Sequence, residues 1–199
     1  MHRVLQQSPG ARDPRRGYRD RRSKLAGSQS AAVTYEYRTV MLPNDFSMNT
    51  LGFREAFLAA QTVTLPGPLA LRIPSMAAQA LLKLVAWHDR RWDSKKDAID
   101  LHTMLDWYDD DSQLDALYSE NLDLLAAYDY DSTLANAHRL GRDIAPLLDP
   151  AAAQRVHRLL VDRSAMERLA NDMGKSFDRS YQRLSAMYAG IGTKDTDAG

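Results

Sequence analysis

The sequence predicts an α+β chain that is mostly α: a short β-hairpin region followed by a helical bundle. Three observations carry that expectation. Residues 34–73 hold short β-branched and aromatic runs divided by Pro/Gly turns. From residue 75 onward apolar side chains recur at helical spacing almost to the end. The 199 residues are 44% apolar and 26% charged, with 26 basic and 26 acidic side chains, a composition that supports a packed core. No run approaches the roughly 18 apolar residues of a transmembrane helix, and no apolar N-terminal segment reads as a secretory signal. Zero cysteines exclude disulfides, zinc–thiolate sites and thiol catalysis, and fit a cytoplasmic location.

Three segments are expected: a disordered basic lead over 1–32, a folded portion over 33–190 and a polar tail over 191–199. The balanced charge conceals the first. Arg3, Arg12, Arg15, Arg16, Arg19, Arg21, Arg22 and Lys24 face only Asp13 and Asp20, so the lead is strongly basic and the remainder correspondingly acidic. With few large apolar residues, it cannot offset the roughly 1–2 kcal/mol per residue lost on ordering backbone. It is either a solvated tail or an arm that neutralises nucleic-acid phosphates.

The folded portion is expected to open with a strand, Thr34 to Met41, ending at the turn cluster Pro43-Asn44-Asp45. Leu51 to Ala60 reads as a short helix, with Phe53, Ala56, Phe57 and Ala60 on its apolar face and Arg54 and Glu55 on the wet one. Thr62–Leu65 and Leu69–Ile73 flank Pro66-Gly67-Pro68 as a hairpin. Ser75 is suited to cap the next helix, Met76 to Arg91, which is apolar nearly all round until Lys83. Lys83 either snorkels to the surface or points into a cleft to meet an anion. Ser94 or Asp93 can cap the helix that starts at Lys95, where Asp97 and Asp100 share a face.

Later helices are expected over Leu114–Tyr128, Thr133–Leu148 behind an Asp131-Ser132 cap, Asp149-Pro150 to Val161, and Ala165–Met187, the last broken at Gly174. Trp87, Trp92 and Trp107 are expected in the helix core, and Arg142-Asp143 as a structural ion pair. The five histidines lack His-Glu-x-x-His spacing, and no P-loop or nucleophile elbow occurs.

Several short motifs, in order, carry a family resemblance over roughly residues 45–190. They are the run Met48 to Ala56, the hairpin closing on Arg72-Ile73-Pro74-Ser75, the lysine-bearing helix from Ala80, the Lys96-Asp97 pair leading to Asp100-Leu101, and Leu140-Gly141-Arg142-Asp143-Ile144. The chain thereby resembles the C-terminal portion of bacterial nucleotidyltransferases of the abortive-infection, type IV toxin kind, within the DNA polymerase beta-like superfamily. The resemblance implies transfer of a nucleotidyl group from an NTP to an acceptor, with Mg2+ as cofactor. It implies a nucleotide substrate, RNA and a cognate antitoxin-like protein as partners. It gives Lys83 and Asp97 a catalytic role, and Arg90, Lys96 and Asp100 a role in substrate binding.

The superfamily's metal-holding Gly-Ser turn and Asp-x-Asp strand are not found ahead of residue 45. Gly27-Ser28 has no Asp-x-Asp at a suitable distance. Asp109/Asp111 and Asp129/Asp131 have the spacing but fall late, in a helical region. The expectation is therefore a truncated nucleotidyltransferase-like chain, inactive alone, with no metal ligands of its own. The alternative is a non-catalytic helical module that binds nucleic acid or a protein partner.

Overall fold

The computed structural model describes residues 39–41 and 47–192, all within one compact unit, Arg38–Gly199. The basic lead, the Pro43-Asn44-Asp45 turn, Gly27-Ser28 and the last seven residues of the polar tail lie outside the described residues. The architecture is α+β and mostly α, as expected: two antiparallel strand pairs, then helices. β1 (Thr39–Met41) pairs with β2 (Ser47–Asn49), Thr39 opposite Asn49. β2 had no signal in the sequence, being three residues with no alternation. α1 (Phe53–Leu58) follows, then the hairpin of β3 (Ala60–Thr64) and β4 (Ala70–Pro74), Ala60 opposite Pro74. The turn between them carries Gly67 at φ 94°, which its missing Cβ permits.

α1 corrects the sequence reading. Ala56 is buried, but Phe53 and Phe57 are exposed while Glu55 is buried, and Ala60 already belongs to β3. In this six-residue helix the inward positions are the adjacent Glu55 and Ala56. Phe57 instead lies under the Arg72 guanidinium, 4.5 Å from its ring, while Arg72 Nη2 donates to the Phe57 carbonyl at 3.0 Å. Arg72 thus fastens α1 to the hairpin.

The core sits among the helices. α2 (Met76–Arg90) starts where expected, its Ala78 amide donating to Ser75 Oγ at 3.3 Å. α3 (Lys96–Trp107) follows, its first amide, that of Lys96, donating to Ser94 Oγ at 3.2 Å. The single helix expected over 114–128 is two, α4 (Asp111–Glu120) and α5 (Leu122–Ala127). Asn121 separates them, its side-chain amide donating back to the Ala116 carbonyl at 3.2 Å, a local bond that competes with helix continuation. Leu117, Leu124 and Leu125 pack inward around Ala135, whereas Tyr118 and Leu122 face out.

α6 (Ser132–Ile144) is capped by Asp131 as expected and gives way at Pro146 to a 3-10 turn, Ala145–Leu147. α7 (Pro150–Val161) is capped by Asp149, α8 (Arg163–Asp172) by Asp162. Gly174, at φ 70°, divides α8 from α9 (Phe177–Gly192). Leu81, Leu84, Trp87, Leu101, Leu140, Leu160, Leu169 and Leu184 meet in one core. Trp87 is completely buried, and its Nε1 donates to Asp172 Oδ2 at 3.1 Å. Trp92 and Trp107, expected inside, are 71% and 56% exposed, because each sits at or past a helix end where the apolar stripe has run out. No described helix is long and apolar enough to cross a membrane.

Candidate functional site

Lys83 and Arg90 lie seven residues apart on α2, two helical turns, so they project from one face. That face meets the first turn of α3. Asp97 and Asp100, three residues apart, present both carboxylates to it. Lys83 Nζ donates to Asp100 Oδ2 at 2.6 Å and to Asp97 Oδ1 at 3.4 Å. Arg90 Nη2 donates to the other Asp97 oxygen at 2.7 Å. Asp97 is only 3% exposed, whereas Arg90 reaches well into solvent and Lys83 and Asp100 are intermediate. The buried carboxylate is thus the anchor, and the two cations radiate from it toward the surface.

Four of the five residues singled out in the sequence converge here. Lys96 does not: its side chain is exposed, because the first turn of α3 points positions 97 and 100 inward and 96 away. The sequence alternative of a purely snorkelling Lys83 is replaced by one in which its head is held by two aspartates. The hydrogen bond to Asp100 is the main reason its ammonium is held above the ordinary lysine range; burial opposes it. Lys83 is a fixed positive charge at neutral pH, suited to neutralise an anion and not to accept a proton.

The other pairs considered in the sequence take structural places. Asp131 caps α6 and receives Arg179 at 2.6 and 2.8 Å. Asp109 receives the nearly buried Arg183 at 3.0 Å, and Asp106 receives the same guanidinium at 2.6 Å. Arg142 and Asp143 do not pair with one another, since successive helix positions diverge by about 100°. Arg142 faces Asp123 at 3.9 Å, and Asp143 accepts from the Tyr108 hydroxyl. The Arg183 and Arg179 pairs were missed in the sequence, because their partners lie far away along the chain and no local spacing announces them.

A two-metal site needs several carboxylates turned toward one point. Among the described residues no group of three or more His, Asp or Glu side chains is placed to hold a metal ion. Asp97 and Asp100 are both engaged by cations. So engaged, these two carboxylates are not free to hold a divalent metal.

A family model described as nucleotidyl transferase AbiEii toxin, type IV TA system, matches residues 3–186. No curated protein and no solved structure matches.

Proposed function

The chain belongs to the AbiEii nucleotidyl transferase toxin family of type IV toxin–antitoxin systems, and from that premise we propose that the α2–α3 cluster is its triphosphate-facing site. In nucleotidyl transfer an acceptor oxygen attacks the α-phosphorus and pyrophosphate leaves, so negative charge accumulates on the departing phosphates. Lys83 and Arg90 supply fixed positive charge for it. Asp97 is a positioning residue that holds both cations from beneath, and the more exposed Asp100 is the group an incoming phosphate displaces from Lys83. The observation that carries this reading is the sharing of one buried carboxylate, Asp97, by two outward-reaching cations.

The truncated reading, in which the chain by itself binds nucleotide and transfers little, rests on the sequence alone, where no Gly-Ser turn followed by Asp-x-Asp is found ahead of residue 45. Magnesium, RNA as acceptor, a cognate antitoxin and a cytoplasmic setting belong to the same proposal and rest on the family.

Thermal unfolding with and without a nucleoside triphosphate tests it. The wild-type Tm rises with ligand, since anything that binds only the native state stabilises it. Lys83→Ala and Arg90→Ala abolish the rise, read against each variant's own ligand-free Tm, which falls because the buried Asp97 carboxylate loses one of its two cations. No rise in the wild type, or an equal rise in both variants, refutes the assignment. Transfer of label from NTP to RNA, measured alongside, reports whether chemistry follows binding.

A further inference from the structure

On another side of α2 a groove runs between α2, α7 and α8. One cavity of about 370 Å³ is lined by His88, Arg91, Arg155 and Arg158, and a second of about 410 Å³ by Arg91, Trp92 and Arg168. The two share Arg91, Asp162 and Ala165 and so adjoin one another. Its charge is lopsided. Arg155 and Arg158 are exposed and make no ion pair with a described carboxylate. The two acidic residues of the lining are already engaged: Asp162 caps α8 and accepts from Ser164, and Glu167 accepts from Arg163 at 2.8 Å. Elsewhere arginines are matched, as Arg179 with Asp131 and Arg183 with Asp106.

The groove also holds an indole in an unusual setting. Trp92 is 71% exposed, yet it is gripped by two guanidinium groups, Arg168 at 3.8 Å and Arg91 at 5.4 Å from its ring. Arg168 is itself fixed by a hydrogen bond to the Arg91 carbonyl at 3.1 Å and by Asp172. An exposed tryptophan without such partners would merely present apolar area. One held by arginines that are themselves held is a flat, oriented platform.

Unmatched arginines beside a fixed aromatic face are the two elements single-stranded nucleic acid needs, one for the backbone and one for a base. We propose that this groove binds single-stranded nucleic acid, with phosphates at Arg155 and Arg158 and a base stacked on Trp92. An acidic polypeptide would use the arginines but not the stacking platform. A free nucleotide would fill one cavity and leave the other. The binding is independent of the nucleotidyltransferase reading; only the further step of regarding the strand as that reaction's acceptor rests on it.

The test is fluorescence anisotropy of a short labelled oligouridylate with the full chain, without NTP or magnesium, so that a failure of the α2–α3 assignment does not affect it. Trp92→Ala weakens binding about 5- to 150-fold, the effect of unstacking one base. The double variant Arg155→Ala/Arg158→Ala lowers the salt dependence by about 0.7 for each phosphate that is no longer neutralised. Both variants keep the wild-type Tm to within a few degrees, since all three side chains are exposed. Binding that is equal in the wild type and these variants overturns the proposal, the basic lead then being the binder. So does displacement of the oligomer by NTP at equal phosphate concentration, or by polyglutamate with the same sensitivity to Trp92→Ala.

Discussion

At the scale of single residues, Asp109 shows how a fold sets a titration. Burial lifts its carboxyl to about 6, and the Arg183 guanidinium opposes but does not cancel that shift. Between the ordinary value of 3.8 and about 6 the native state therefore binds more protons than the unfolded chain. Stability consequently falls as pH climbs through that window and stays lower above it. Denaturant midpoints across this range give the profile, and Asp109→Asn flattens it. A wild-type curve with no slope between pH 3.8 and about 6 contradicts the assigned burial. The α2–α3 cluster was largely legible at this scale. Lys83 in a greasy helix and the Asp97/Asp100 pair were visible as chemistry out of place. Lys96 was grouped with them but stands apart from the cluster, because adjacency in sequence says nothing about which side of a helical turn a residue occupies.

At the scale of elements, the crossing of α6 and α9 rests on two glycines. A Cβ on Gly141 would strike the Met187 carbonyl oxygen and approach Gly190 Cα to 2.9 Å, and one on Gly190 would strike the His138 carbonyl and come within 3.0 Å of Gly141 Cα. Backbone cannot yield as a flexible side chain does. Gly141→Ala therefore lowers stability by about 2–3 kcal/mol despite its better helix propensity. Gly192, at the end of α9 with open space around it, accepts alanine without destabilisation. Urea unfolding of the two variants separates the cases. Helix positions were readable from apolar periodicity and from caps such as Ser75, Asp131 and Asp149. The break at Asn121 and the outward faces of Phe53 and Phe57 were not, since both depend on what neighbouring elements leave to be covered.

At the scale of the molecule, stability resides in the helices. Leu169 is completely buried, so Leu169→Ala costs about 3–5 kcal/mol. Leu71, on the exposed β3–β4 ribbon, changes to serine at a cost of about 0.5 kcal/mol or less. Equal destabilisation of the two variants in chemical denaturation would mean that the ribbon is part of the core. The mostly helical class was plain from the sequence, because a 3.6-residue period sustained over most of the chain allows little else. The separate β1–β2 pair was hidden, three-residue strands carrying no pattern.

Asp172 ties distant parts of this architecture together. Its carboxylate accepts from Trp87 of α2, receives Lys95 just ahead of α3 at 3.2 Å, and faces Arg168 of α8 at 3.8 Å. The helix pair carrying the cation cluster and the helix flanking the arginine–tryptophan groove are thus pinned to a single rivet. Removing that carboxylate, as in Asp172→Ala, therefore takes a common footing from both surfaces at once.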